Sequence, residues 1–180
     1  MKKLLFLLYA TVITFSVQAQ GILITKNASI SFFSSTVAEN IEAKSTKATS
    51  VLDPKTHNLI FKVSNTSFEF QKKMMQEHFN EEYIESDKYP YSEFKGKIKE
   101  DIDLSKNGTY TVTVEGNLDI HGVSKAYQTK AVLIVNNGTV NAKAVFKVRI
   151  ADHGIKVPSI VFAKIAEYVE LRVVADYQPK

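Results

Sequence analysis

Alternation is what most narrows the folds open to this chain. From Gly21 onward, apolar side chains recur at every second position over long runs. A period of two marks a strand with one dry face and one wet face. Tyr110, Val112, Val114, Gly116, Leu118 and Ile120 fall on one side, with Thr111, Thr113, Glu115, Asn117 and Asp119 on the other. Val140 to Ile150 and Val169 to Tyr177 repeat the pattern, and Leu59-Phe61-Val63 is a shorter, weaker version. Eight strands are expected, near 22–33, 38–51, 57–68, 92–100, 108–120, 123–136, 139–150 and 166–177. Asn107-Gly108 and Asn137-Gly138 tolerate the positive φ of two-residue hairpin turns. Asp53-Pro54-Lys55-Thr56 turns the chain before the strand at His57. Five connections are short, which requires antiparallel neighbours.

One stretch departs from the pattern. Between Gln71 and Glu85, Met75, Phe79 and Tyr83 stand at helical spacing on one stripe, with Lys72, Lys73, Glu77, Glu81 and Glu82 elsewhere. Tyr89-Pro90 stops a helix. The spacing predicts one amphipathic helix over 71–85, lying across an end or an opening of the sheet. A shorter helical turn is expected near 158–164.

The amino terminus reads as an export signal. Lys2 and Lys3 precede an apolar run from Leu4 to Phe15 that is short for a membrane span, and Val17-Gln18-Ala19 offers small residues for cleavage before Gln20. The expected organisation is therefore a signal peptide over 1–19 and one domain over 20–180, in a periplasmic or secreted protein. Stable membrane insertion is not expected. The chain has no cysteine, which excludes disulfides, thiolate nucleophiles, sulfur-held metals and lipoprotein anchoring. The formal charge of +4 falls to +2 without Lys2 and Lys3, too weak and too dispersed an excess for a nucleic-acid partner.

Eight antiparallel strands expose two edges unless the sheet closes or divides into two layers. A closed eight-stranded barrel is either filled by its side chains or just able to hold one small ligand. The inward set is rich in small and medium residues (Val112, Val114, Gly116, Ala142, Ala144, Val148, Val173, Ala175), with Phe32, Phe61, Phe68 and Phe146 at intervals. That composition suits a hollow barrel and a solid sandwich about equally. An outer-membrane barrel alternates in the same way. Against it stand the helix, the non-aromatic ending Asp176-Tyr177-Gln178-Pro179-Lys180 and the lack of aromatic girdles.

Several ordered motifs then run together. They are Phe68-Glu-Phe, Met74-Met75, His78-Phe79, Tyr83-Ile-Glu-Ser-Asp-Lys-Tyr89-Pro90 and Phe94-Lys-Gly-Lys-Ile98, followed by Gly116-Asn-Leu118-Asp-Ile120-His-Gly122-Val123 and Phe146-Lys-Val-Arg-Ile-Ala-Asp-His153-Gly154. Their order and spacing resemble the YceI-like family of exported bacterial lipid-binding proteins. The resemblance spans nearly the whole mature chain and is thinnest over Ile22 to Val51. It implies an all-β fold, an eight-stranded antiparallel lipocalin-like barrel with one amphipathic helix. It also implies a long isoprenoid lipid or quinone as ligand, no other cofactor, and no catalysis. On that reading Phe32, Phe61, Val63, Val112, Val114, Leu118, Ala144, Phe146, Val148, Leu171 and Val173 line the tube, and Met75 and Phe79 cover it. Taken one by one, each is more simply explained by ordinary core packing. A homodimer through a strand edge or the helix is compatible with this picture.

Other chemistry finds little support. His57, His78, His121 and His153 show no metal-ligand spacing. His121 and His153 each precede a glycine at a strand end, so both are expected at barrel rims, as exposed loop residues. The Glu81-Glu82 and Asp101/Asp103 pairs read as solvated surface. A Gly-x-Ser-x-Gly elbow and a phosphate-binding glycine loop are both absent from the sequence. No catalytic or metal residue is expected.

Overall fold

The computed structural model describes residues 21–158 and 164–180. The expected signal peptide, and all but the ends of the expected turn near 158–164, lie outside the described residues.

The strands are β1 (Leu23–Ser35), β2 (Asn40–Leu52), β3 (Asn58–Ser64), β4 (Glu69–Phe70), β5 (Tyr91–Ile98), β6 (Gly108–Ile120), β7 (Val123–Asn136), β8 (Thr139–Arg149) and β9 (Tyr168–Pro179). Every pairing is antiparallel. The ring runs β1-β2-β3-β5-β6-β7-β8-β9 and closes back on β1, with β4 attached beside β2. The eight strands of the ring travel up and down in chain order, so the eight-stranded antiparallel barrel read from the sequence is the observed fold. The alternation sets the faces as expected: Phe61 and Val63 are buried while Ile60 points outward.

His121-Gly122 and Asn137-Gly138 make the two-residue turns of β6–β7 and β7–β8, all four residues having positive φ. The turn expected at Asn107-Gly108 is absent. There the chain takes the longer link 99–107, which carries Leu104 into the core at one end of the barrel. Burial of that side chain outweighs the local turn preference of the dipeptide. Asn107 instead ties the link to the neighbouring hairpin: its Oδ1 accepts from the Asn137 amide at 2.8 Å.

The expected strand over 57–68 ends at Ser64. A 3₁₀ turn (Asn65–Ser67) follows, then the two residues of β4. The expected helix over 71–85 is also shorter and mixed. α1 covers Lys73–His78, and Phe79–Tyr83 widens into a π-turn with the Ile84 amide bonded to the Phe79 carbonyl at 2.9 Å. The cause is packing. Phe79 stands among Phe32, Phe68 and Phe70 with ring centroids 5.2–5.7 Å away, and the wider turn also lets Ile84 reach the interior.

The barrel is tight at one end and loose at the other. At the packed end Leu23, Leu52, Ile98, Leu104, Val135, Val140 and Tyr177 share one core. The Tyr177 hydroxyl lies 2.7 Å from Ser50 Oγ, which donates onward to the Ile60 carbonyl. Burial pushes the Tyr177 hydroxyl pKa up, so it stays a donor. Toward the other end two ladders stop early. β2–β3 pairing ends at Thr49–Lys62, and β7–β8 pairing ends at Ala131–Ala144. The wall thus separates into two layers, β2-β1-β9-β8 and β3-β5-β6-β7, with α1 near their opening.

Candidate functional site

Where the layers separate, they enclose a cavity of about 410 Å³. That is within the range of roughly 300–1,000 Å³ usual for small-molecule sites. Its wall is almost wholly aliphatic and aromatic. Phe61, Val63 and Phe94 come from one layer, and Ala144, Phe146, Leu171 and Val173 from the other. Several of these inward side chains are only half-buried although they face the barrel axis. Small residues make the room. Ala131 on β7 lies opposite Ala144 on β8, which in turn lies opposite Val173 on β9. Where the ladders are intact the wall keeps its backbone polar groups paired, so the cavity surface is mostly hydrocarbon, with a few polar side chains such as Asn65, Tyr127 and His153 at its boundary.

Gly96 and Gly116 face each other across β5 and β6. A Cβ on Gly116 would stand 2.5 Å from Gly96 Cα and 2.8 Å from the Phe94 ring. The two glycines therefore let Phe94 lie flat against the wall instead of filling the void.

Twelve of the thirteen side chains expected to line or cover a tube do bound this cavity: Phe32, Phe61, Val63, Met75, Phe79, Val114, Leu118, Ala144, Phe146, Val148, Leu171 and Val173. Val112 does not. It is 0 % exposed and packed into the core beside Ala131, whose own side chain does border the cavity. Alternation assigns a face to a residue but says nothing of its depth along the barrel axis. Ile30, Phe94, Ile84 and Tyr127 bound the cavity too and were not among the residues expected there. Tyr127 was within reach, since Tyr127-Thr129-Ala131-Leu133-Val135 alternates like its neighbours.

The helix is held over the opening by three contacts. Lys72 pairs with Glu39 of the β1–β2 hairpin at 3.0 Å, the four phenylalanines stack beneath, and Glu85 meets His121 at 2.6 Å. The second ring nitrogen of His121 lies 3.2 Å from the His153 carbonyl, so both nitrogens face acceptors. The His121 bond holds the Glu85 carboxyl below the ordinary carboxylate range, against a smaller opposing effect of burial, with Lys88 nearby assisting.

His121 sits at the rim, as expected, but it is not a free loop histidine. Its side chain is 14 % exposed. His153, also expected to be exposed, is fully buried. Its Nδ1 donates to the Val123 carbonyl at 2.9 Å, its Nε2 accepts from the Tyr127 hydroxyl at 3.2 Å, and the two rings stack. Burial, and then the charge of Asp152, raise the Tyr127 pKa and keep that hydroxyl a donor. Among the described residues no cluster of three or more potential ligands could hold a metal ion. No described helix is long and apolar enough to cross a membrane.

A closed up-and-down barrel around a mostly apolar cavity has the form of a lipocalin-like ligand-binding fold. The chain belongs to the YceI-like family, whose YceI-like domain model matches residues 10–177. Solved structures agree on the fold. A polyisoprenoid-binding domain from Saccharophagus degradans, implicated in plant cell wall breakdown, superposes with a TM-score of 0.75 at 12 % identity, covering 89 % of this chain and 99 % of its own. BcnA of Burkholderia cenocepacia gives 0.69 at 16 % identity, covering 83 % and 95 %. The YceI protein of Campylobacter jejuni gives 0.58 at 16 % identity, covering 100 % and 99 %. No relative among the curated proteins matches the sequence.

Proposed function

We propose that this chain binds a long apolar ligand, an isoprenoid lipid or quinone, inside the barrel and carries or stores it without chemical change. The observation that carries this reading is the cavity: about 410 Å³ of space walled by hydrocarbon where a filled structural barrel would have packed side chains. Each CH₂ moved from water into such a space contributes roughly 0.8 kcal/mol. A few isoprene units therefore supply useful affinity with no precisely placed polar group, even after the costs of association. Met75 and Phe79 on the covering helix suit the task, since a thioether and a ring adapt to an irregular tail. The polyisoprenoid-binding relative from Saccharophagus degradans supports the class of ligand.

The same reading places cleavage before Gln20, leaves 20–180 as the working domain, and puts it in the periplasm or outside the cell. Solvent extraction of the purified protein followed by mass spectrometry tests it. A long-chain lipid near one per protein is expected. Empty extracts, together with no binding of added polyprenols or quinones, would return the chain to the alternative of a structural or interaction barrel.

A further inference from the structure

The ladder that stops at Ala131–Ala144 leaves a seam in the barrel wall. Beyond that pair, residues 123–130 of β7 and 145–149 of β8 have no backbone pairing with each other. At a rise of about 3.3 Å per residue the seam is roughly 15 Å long. Among the described residues, side chains span it. Thr129 Oγ1 reaches the Val145 carbonyl at a long 3.4 Å, the Tyr127 and Phe146 rings lie 6.2 Å apart, and His153 bridges the Val123 carbonyl and the Tyr127 hydroxyl. Tyr127, Thr129, Phe146 and His153 also bound the cavity, so the seam is a thin part of its wall.

The other early-ending ladder is sealed differently. Beside β2, β4 pairs Ala43 with Phe70 and Lys44 with Glu69, and Ser45 and Ser67 lie 2.7 Å apart through their hydroxyls. Phe68 is buried behind them. The helix-covered mouth is fastened by the Lys72–Glu39 ion pair at one end, the Glu85–His121 hydrogen bond at the other and a cluster of four rings in between. Among the described residues, the β7–β8 seam is the one of these three places held by neither a backbone pairing nor a Lys–Glu ion pair.

We propose that the ligand enters and leaves sideways through the β7–β8 seam, with the Tyr127–His153 contact as its latch, while the helix stays in place. A slot of this length admits a flexible chain side-on, so its tip need not thread through a covered mouth. A bulky polar end can remain in water throughout. This inference rests on the carrier reading above.

The absence of cysteine makes a direct test available. In Lys130→Cys/Val145→Cys, on the outer face just past the last β7–β8 pair, a short bismaleimide bridges the seam, and in Glu39→Cys/Lys72→Cys it pins the helix. Uptake and release of retinol, a fluorescent isoprenoid, are followed by stopped flow before and after bridging. The seam bridge is expected to slow both rates by about tenfold or more, and the helix bridge to leave them within about twofold. Tyr127→Phe, which keeps the ring and removes the latch bond, is expected to release retinol several-fold faster. Wild-type rates in the bridged seam variant, or exchange blocked by the helix bridge, would overturn the portal while leaving the carrier reading intact. Failure of the unmodified protein to bind retinol, polyprenols or quinones at all would overturn the carrier reading itself, and the portal with it.

Discussion

Ala144→Phe separates a hollow barrel from a filled one. Ala144 faces the cavity between Ala131 and Val173. The substitution adds a ring of about six carbons in space that a ligand tail would otherwise fill. At roughly 0.8 kcal/mol per CH₂, displacing that much hydrocarbon removes at most about 5 kcal/mol of ligand burial. A tail that shifts along the cavity recovers part of this. The expected loss is still at least tenfold in Kd, or about 1.4 kcal/mol. The free protein should respond in the opposite sense, because filling a void stabilises by about 0.5–2 kcal/mol. For a domain of this size that raises Tm by roughly 2–4 °C per kcal/mol. The assay pairs a retinol titration with thermal unfolding of delipidated protein. Weaker binding with an unchanged or higher Tm is the expected result. Unchanged binding with a lower Tm would mean that the ring was forced into a packed core, and the reasoning from the cavity would be wrong.

Three further outcomes are expected. Leu104→Ala, at the packed end, should cost about 2–5 kcal/mol of stability by chemical denaturation while leaving retinol affinity within about twofold. Gly116→Ala should destabilise by about 1–3 kcal/mol, since the new Cβ meets the β5 backbone and the Phe94 ring, whereas Asn117→Ala on the outer face should stay within about 0.5 kcal/mol. Glu85 has a folded pKa below its ordinary value of 4.5, so its contribution to stability is present above about pH 4.5 and is lost as pH falls through the lower folded value. Glu85→Gln should therefore lower stability at pH 6–7 and lose less than the parent as pH falls below 4.5, as read from denaturant midpoints across the pH range. A difference between the two proteins that does not depend on pH would refute the role given to the Glu85–His121 bond.

Much of this molecule is written locally. Alternation fixed which side chains of β3, β6, β8 and β9 point inward, because the pleat sends neighbours to opposite faces whatever surrounds them. Eight strands with short links left closure or two layers as the ways to hide the edges, and the ordered motifs from Phe68 to Gly154 pointed to the family. What local pattern could not carry was position along the barrel axis. Val112 and Val114 look alike in sequence, yet the first is packed solid and the second borders the void. That difference depends on which distant side chains pack against each one, with Leu104 reaching the core from a link that Asn107-Gly108 did not announce. The buried state of His153 had the same origin, since its partners Val123 and Tyr127 come from a strand about 30 residues away. The sequence by itself determined the strands, their faces and the apolar character of the interior. Only the tertiary structure decided where that interior is empty and where its wall is thin, because a void belongs to the spacing between elements and to no residue alone.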